Sequence, residues 1–289
     1  MRIIILTHSK ERHFYLLNNI IENTESVVGV IIGAKNVHRS RYENFVKKIK
    51  NIKYYLKNKF LNTIFIQYGK RLLRQKELAE EKFFGGSTKR FYDKHKELLI
   101  ATVTSKYRSI NDDYYISMIK DKKPDVIIVM GTCLIGKEII SSAKFVINMH
   151  TGLSPYYRGG NTNLWPFIEK DFGYFGVTIH LMSLGIDSGN IIFTKSPKIN
   201  QNDNYGTINS KSIVIGVNLI IDSIKLIEKK QLNSIEQWTD GKLFFDKDWN
   251  NYLAYKYFKT KDKFLSVYCN LADNNRLSNP KIIKNGIVV

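Results

Sequence analysis

The residues best suited to chemistry lie between Asn148 and Asp187. Asn148 and His150 end an apolar run, and because residues two apart in an extended chain point to the same side, one pocket can receive both. Asp187 follows later, in the turn GIDSGN. An amide that donates to a developing oxyanion, an imidazole of near-neutral pKa and a carboxylate that orients it form a complete set for acyl transfer.

A second feature is the turn Arg158-Gly159-Gly160, whose backbone amides and guanidinium can hold an anion. Taken one at a time these residues are ordinary. A lone histidine at a strand end is more often structural, and an aspartate before Ser-Gly is a common turn residue. The combination is what indicates a reactive site.

The surrounding elements alternate between short β-branched runs and helical spacing. Strands are predicted at Arg2–His8 and Ser26–Gly33 with a helix between them, N-capped by Ser9. Further strands are predicted at Asp125–Met130, Phe145–His150, Gly176–Met182 and Asn190–Ile199. This order predicts an α/β fold, a Rossmann-like, mostly parallel sheet flanked by helices, with ligands beyond the carboxyl ends of the strands.

Two segments depart from that alternation. Residues from about 35 to 100 are Lys-rich and proline-free and predict a basic helical insertion. Such helices can bind RNA, although aromatic residues at helical spacing more often pack in a core. We expect a catalytic domain at residues 1–232 that contains this insertion. Residues 233–289 form a small C-terminal extension with a candidate β-hairpin at KLFFDKDW.

The composition limits the classes of partner and the cellular compartment that we expect for this protein. The formal net charge of +19 over 289 residues fits either compositional drift or an anionic partner, such as nucleic acid, acidic lipid or a nucleotide-linked substrate. No apolar stretch reaches the roughly 20 residues needed to span a bilayer. Two cysteines, Cys133 and Cys269, predict neither a disulfide framework nor a cysteine-based metal site. We therefore expect a cytoplasmic protein without a metal.

The catalytic stretch resembles a known family. Asn-x-His followed by Ser-Pro-Tyr-Tyr-Arg-Gly-Gly, then Gly-Val-Thr-Ile-His and Asp-Ser-Gly-Asn-Ile-Ile, is similar to the folate-dependent formyltransferases. The resemblance is specific over residues 124–199, plausible for the first strand, and weak over residues 35–100 and in the tail. It implies a formyltransferase fold and an Asn148–His150–Asp187 active site.

The resemblance also implies the ligands. The donor is N10-formyltetrahydrofolate, a co-substrate, and its pterin is expected against Gly131, Thr132, Cys133 and Leu134, and against Leu184, Gly185 and Ile186. The acceptor is a primary amine. Residues expected near the acceptor are Tyr157, Arg158, Gly159, Asn161 and, as a stacking surface or as core, Trp165. A homodimer is expected from the family alone.

The segments that differ between members of the family narrow the class of acceptor. The motif at Ser154–Gly160 and the tail segment GKLFFDKDW are most similar to the sugar-nucleotide N-formyltransferases of O-antigen and lipopolysaccharide biosynthesis. Methionyl-tRNA formyltransferases carry a C-terminal β-barrel, for which the residues after Gly241 are too few. We therefore expect N-formylation of a 3-amino or 4-amino deoxysugar on a nucleotide carrier.

One enzymatic alternative is a methionyl-tRNA formyltransferase-like enzyme or another amine formyltransferase, and a second is hydrolysis of the donor. The non-enzymatic alternative is a nucleic-acid-binding module built on the basic helices. Of these interpretations we favour the enzyme, and we therefore expect no nucleic-acid partner. One departure from the family is Gly152, where serine is common.

Overall fold

A computed structural model describes residues 1–33, 52–104, 107 and 109–289. The part of the predicted insertion at residues 35–51 therefore lies outside the described residues. Strands and helices alternate through most of the described chain, as the sequence predicts.

The main sheet has nine strands in the order β11-β10-β8-β7-β5-β4-β1-β2-β3. Its parallel half contains β1 (Ile3–His8), β2 (Val27–Gly33), β3 (Leu99–Thr102), β4 (Val126–Val129) and β5 (Phe145–His150). The antiparallel half adds β7 (Val177–Leu181), β8 (Ile191–Lys195), β10 (Ile283–Lys284) and β11 (Ile287–Val288). The expected α/β fold class is confirmed, with a sheet that is mixed rather than purely parallel.

Helices cover both faces of the sheet. They are α1 (Glu11–Asn23), α2 (Ile52–Ile64), α3 (Ile66–Phe84), α4 (Ser87–Lys94), α5 (Asp113–Asp121), α6 (Lys137–Ile140), α7 (Trp165–Glu169), α8 (Tyr205–Glu228) and α9 (Asn251–Asp273). One apolar core lies between the sheet and α1, α4 and α8, and a second lies on the opposite face under α5 and α6. A third joins α3, α7, α8 and α9.

The chain reverses its direction of travel across the sheet at β1. It moves outward from β1 to β2 and β3, then returns to place β4 on the other side of β1. A crevice forms at such a switch point, beyond the carboxyl ends of the two strands. His13 of α1 closes the base of this junction: its Nδ1 is 2.8 Å from Thr7 Oγ1, and the Thr7 hydroxyl donates to the Met130 carbonyl. Burial, chiefly, and the neighbouring cations lower the pKa of His13 well below its usual value, so the ring is neutral here.

Two local predictions are corrected by the structure. Lys10, and not Ser9, occupies the N-cap of α1, because the Ser9 amide turns back to donate to His8 Nδ1. The segment KLFFDKDW forms no hairpin. Its β9 (Lys242–Phe244) pairs in parallel with β6 (Tyr157–Gly159), and the chain then enters a 3₁₀ turn. Phe244 stacks on Trp165 with ring centroids 4.0 Å apart, so its apolar partner comes from the catalytic part of the chain. The hairpin of the C-terminal extension is β10–β11.

Helix α8 packs closely on the strands behind the site through a glycine. A Cβ built on Gly216 would lie 2.4 Å from Met149 Sδ and 2.7 Å from Val177 Cγ2. Met149 and Val177 belong to β5 and β7, so this contact sets the depth of the helix against the strand that carries the candidate site.

We expect Gly216→Val to lower the free energy of unfolding by about 1–3 kcal/mol, because overpacking forces core side chains or backbone to move. Urea unfolding followed by circular dichroism measures this. Asn218→Val, at an exposed position of the same helix, is the control and should change stability by less than about 0.5 kcal/mol. Equal stability of Gly216→Val and the wild type would show that the contact does not limit packing.

Candidate active site

Asp187 is the hub of a hydrogen-bonded cluster at the carboxyl end of β5. Its Oδ2 lies 3.1 Å from His150 Nδ1 and accepts the Gly159 amide proton at 2.9 Å. Its Oδ1 accepts from Asn148 Nδ2 at 3.3 Å and lies 3.5 Å from His180 Nε2. Of the three residues that the sequence brings together by alternation and by resemblance, Asn148 and His150 therefore both contact Asp187.

The charge state of this cluster follows from its surroundings. Burial alone would raise the pKa of Asp187, but His150, His180 and the Gly159 amide outweigh burial and hold that pKa well below its usual range. Burial also lowers the pKa of His150, and the Asp187 carboxylate opposes that shift by stabilising the charged ring. Asp187 is therefore ionised, and its negative charge favours the protonated form of the neighbouring His150 ring.

The turn that presents Asp187 is constrained by its backbone. Asp187 has φ +47°, a left-handed conformation that Asp tolerates better than most residues. Gly189 passes so close to Leu181 that any Cβ would overlap the Leu181 carbonyl oxygen. Gln237 then fixes both ends of the turn, since its Nε2 donates to the carbonyls of Asp187 at 2.7 Å and Gly189 at 2.8 Å. The carboxylate is held by backbone geometry as well as by its partners.

His180 is a member of the cluster that the sequence reasoning missed as a site residue. It sits opposite Asn148 in the β5–β7 ladder. Its Nδ1 donates to the Leu181 carbonyl at 2.8 Å, and its Nε2 is 3.0 Å from Asn148 Nδ2. Because Nδ1 carries a proton, Nε2 of the neutral ring accepts from Asn148. His180 ends the motif Gly-Val-Thr-Ile-His, which belongs to the resemblance, but no role was predicted for it.

This network commits both amide hydrogens of Asn148, one to His180 and one to Asp187. For Asn148 to donate to a substrate oxygen, the amide must turn over so that Oδ1 accepts from His180 Nε2–H. His150 is likewise occupied, because its Nε2 donates to the Tyr157 carbonyl at 3.0 Å.

The structure supplies a reason for Gly152, where serine is common in the family. A Cβ at this position would lie 2.7 Å from His150 Nε2 and 2.5 Å from Thr162 Oγ1. Thr162 fills the space that a serine hydroxyl would need, and its own hydroxyl donates to the Thr151 carbonyl. The departure is thus compensated by a neighbouring residue.

A cleft of about 550 Å³ opens over this cluster. The three predicted catalytic residues line it, as does His180. Six of the seven residues predicted to contact the cofactor also line it, namely Gly131, Thr132, Cys133, Leu134, Gly185 and Ile186, whereas Leu184 does not. The loops after β4 and β7 therefore form one wall of the cleft. Gly131 has φ +69°, and the His13 ring fills the place of its missing Cβ, so a larger residue would not fit there.

The predicted acceptor residues divide into two groups. Gly159 and Asn161 line the cleft, whereas Tyr157, Arg158 and Trp165 do not. Tyr157 and Trp165 are buried, and Phe244 stacks against both of them, with ring centroids 6.0 Å and 4.0 Å away. The aromatic rings that line the cleft come instead from Phe244 and Phe245, at and just after the end of β9, and from Tyr205. Phe244 and Phe245 belong to the tail segment GKLFFDKDW that carries part of the resemblance, but no role in the site was predicted for either.

One end of the cleft is basic. Arg12 and Lys76 line it beside Tyr205, over whose ring the Lys76 Nζ lies 5.9 Å from the centroid. Arg12 pairs with Glu80 at 2.5 Å. Burial and the nearby Arg12 lower the pKa of Lys76, with Glu80 opposing. One carboxylate thus faces two cations, and this end of the cleft is suited to an anionic group.

Within the described ranges, no group of three or more His, Cys, Asp or Glu side chains is arranged to hold a metal ion. None of the helices of the described chain is long and apolar enough to cross a bilayer. The hydrogen-bonded cluster and the two ends of the cleft are the chemical features of this site.

Comparisons with known proteins point to one family. Methionyl-tRNA formyltransferase of Halothermothrix orenii is 34% identical over 123 residues, which cover 42% of this chain and 39% of that protein. The chain thus spans about two fifths of the length of this curated relative.

Solved structures share the fold. The N-formyltransferase of Helicobacter canadensis, solved with folinic acid and dTDP-3-aminofucose, matches with TM-score 0.55 and 18% identity over 91% of this chain and 82% of that one. A 4-N formyltransferase from Francisella tularensis matches with TM-score 0.53 and 18% identity over 86% of this chain and 77% of that one. Residues 73–224 match the Formyl transferase family. Since that match covers over half of the chain, this protein belongs to the formyl transferase family.

Proposed function

We propose that this protein transfers the formyl group of N10-formyltetrahydrofolate to the primary amine of a nucleotide-linked amino deoxysugar. The observation that carries the proposal is the Asp187 carboxylate, 13% exposed and in contact with His150 and Asn148, in a cleft with a basic end. The family supports the reaction class, and the cleft supports the kind of acceptor.

The reaction follows from these groups. The acceptor amine attacks the formyl carbon, and a new C–N bond forms as the carbonyl oxygen becomes an oxyanion. Asn148 and protonated His150 stabilise that oxyanion as hydrogen-bond donors, which is a large term in acyl transfer. As the bond from the carbon to N10 breaks, His150 gives its proton to N10, and the proton lost by the amine then returns to His150. Asp187 orients His150 and stabilises its charge.

The donor is assigned to the wall made by the loops after β4 and β7. Its residues are small or backbone-exposing, and Leu134 is 66% exposed, so an apolar edge is available to a flat ring. The related Helicobacter structure was solved with folinic acid, which supports a folate donor here.

The acceptor is assigned to the opposite end, beside Arg12 and Lys76. A nucleotide-linked sugar carries a diphosphate, and two cations with one carboxylate favour such a group electrostatically. Phe244 offers a ring against the acceptor. The dTDP-3-aminofucose in the related structure supports this class of acceptor. A role in O-antigen or lipopolysaccharide biosynthesis, in the cytoplasm and as a homodimer, is part of the same proposal.

The acceptor class is tested by incubating the protein with N10-formyltetrahydrofolate and a panel of nucleotide-linked 3-amino and 4-amino dideoxysugars. We expect one of them to gain the mass of a formyl group. Initiator methionyl-tRNA is the parallel substrate, and its formylation with no sugar product would overturn the sugar assignment. Formate release at a rate independent of acceptor would indicate hydrolysis. Absence of formyl transfer together with salt-sensitive RNA binding would indicate a nucleic-acid module.

The role of the buried carboxylate is tested by Asp187→Asn. This change keeps the shape but removes the charge that orients and stabilises the His150 imidazolium, so we expect kcat to fall by about 10²–10⁴-fold. His150→Ala should reduce kcat to a similar extent. Steady-state kinetics with the formylated sugar as readout measures both effects.

Asp222→Asn is the matched control, because it makes the same substitution at an exposed position on α8. It should leave kcat within about twofold, as expected for a surface change. If Asp187→Asn retained near-normal turnover with a native melting curve, Asp187 would be removed from the mechanism.

The basic end of the cleft is tested by Lys76→Met, which keeps the length of the side chain and removes its charge. We expect KM for the nucleotide-linked acceptor to rise about 10–100-fold, the loss expected for a hydrogen bond to a charged group, with a smaller change in kcat. Inorganic pyrophosphate should compete with the acceptor in the wild type and compete less well in Lys76→Met.

Lys82→Met makes the same substitution at an exposed position on α3 and should leave KM unchanged within about twofold. Equal KM values for Lys76→Met and the wild type would place the acceptor's anionic group elsewhere in the cleft.

A further inference from the structure

Helix α2 is oriented differently from an ordinary surface helix, with polar contacts on the side that faces the protein. Its inner side is polar: Asn58 Nδ2 donates to the Lys247 carbonyl at 3.1 Å, and Asn250 Nδ2 donates to Asn58 Oδ1 at 3.1 Å. One turn later, the Asn251 amide donates to Asn62 Oδ1 at 2.7 Å. These bonds attach α2 to the start of α9 through asparagines and backbone groups.

The apolar side of the same helix faces outward. Leu56, Phe60 and Ile64 are spaced four residues apart and are 57%, 64% and 51% exposed. At about 100° per residue, these three span about 80° of the helix, and Asn58 and Asn62 lie about 180° away. A surface helix normally turns its apolar side chains toward the core, whereas α2 turns these three outward.

The apolar surface continues onto the next helix. Ile66 is 50% exposed and Leu73 is 55% exposed, and they lie seven residues apart on one side of α3. We call the surface made by Leu56, Phe60, Ile64, Ile66 and Leu73 the outer apolar face. Five large apolar side chains that are each at least half exposed, on two consecutive helices, provide apolar surface of the kind that marks a binding site.

The charges around this face have one sign. Between residues 52 and 76 there is no Asp or Glu, whereas Lys or Arg occupies positions 53, 57, 59, 70, 71, 74 and 76. Lys57 and Lys59 are exposed and flank the apolar stripe of α2 on its two sides. Long lysine side chains at the borders of an apolar stripe can keep their charge in a polar layer while the stripe enters an apolar one.

We propose that the outer apolar face docks the protein on an anionic lipid surface. A helix that lies in a membrane interface has this combination of an apolar stripe and flanking cations, and binds through buried apolar area plus attraction to anionic headgroups. Phe60 and Leu56 enter the headgroup–acyl boundary, and Lys57 and Lys59 meet the headgroup phosphates.

Charge and side-chain type separate this occupant from two others. RNA is held through phosphates and through stacking on aromatic or Arg side chains, and four of the five residues of this face are aliphatic, which offers no stacking surface. A second copy of the chain would bring the same uncompensated cations against each other, which opposes a symmetric contact. An anionic lipid surface complements both the charge and the apolar stripe.

The proposal is tested by co-sedimentation of the full chain with extruded vesicles. We expect the apparent partition coefficient to be at least about tenfold higher for phosphatidylglycerol vesicles than for phosphatidylcholine vesicles, and to fall in 0.5 M salt. Leu56→Ser and Phe60→Ser should each lower binding to the anionic vesicles by about five- to tenfold, because each removes apolar area from the interface. Lys57→Gln with Lys59→Gln should lower it at low salt.

Leu78→Ser is the matched control. Leu78 is 58% exposed, close to the 57% of Leu56, but it lies outside the outer apolar face, beyond Glu77 on α3. It should bind vesicles as the wild type does. Melting curves confirm that each variant folds.

The outcomes that overturn the proposal are distinct. Absence of binding to phosphatidylglycerol vesicles would reject it, and so would binding that Leu56→Ser and Phe60→Ser leave unchanged, since adsorption would then be purely electrostatic. If those two variants convert a lipid-free dimer to a monomer while the wild type binds no vesicles, a second copy covers the face. If RNA binds and the two variants abolish RNA binding, the partner is nucleic acid.

Discussion

The buried negative charge of Asp187 is the constraint on which the site depends. An ion removed from water costs several kcal/mol unless donors replace its hydration. Here the replacements come from His150 on β5, His180 on β7 and the backbone amide of Gly159 on β6. The carboxylate therefore requires three strands in one relative position. The β6–β9 pair and Gln237 extend that requirement to the C-terminal segment.

The parts of this arrangement that could be predicted are local ones. Asn148 and His150 share a side because alternation in a strand is a local property, and Asp187 was reached through its turn and the family resemblance. His180 was missed because it joins the site through pairing of Asn148 with a strand thirty residues later, and register is not visible in one strand alone. Gly159 was expected at the acceptor; it lines the cleft, and its amide also donates to the carboxylate.

The aromatic wall of the cleft shows the same limit. Tyr157 belongs to the motif that carries the resemblance and Trp165 follows it by a few residues, so Tyr157 was a candidate for the acceptor side and Trp165 for that side or for the core. The structure instead buries them and places Phe244 over both. Phe244 arrives there because β9 pairs with β6 in parallel, a non-local contact that a reading of KLFFDKDW as a hairpin could not anticipate. Acceptor recognition in such a site depends on long-range packing more than on the motif itself.

Helix α2 shows which features of a helix the sequence periodicity determines and which it leaves open. Periodicity predicts a helix and an apolar stripe but does not determine which way the stripe faces, and Asn58 and Asn62 decide the direction by bonding to α9. Leu56, Phe60 and Ile64 are largely exposed in the folded chain, much as in the unfolded one, so they contribute little to folding through burial. Apolar area that folding leaves uncovered can yield free energy only when something else covers it. Helix α2 therefore gives the protein a surface whose energetic value lies in association, separate from the catalytic cluster and joined to it through α3, which also carries Lys76 into the cleft.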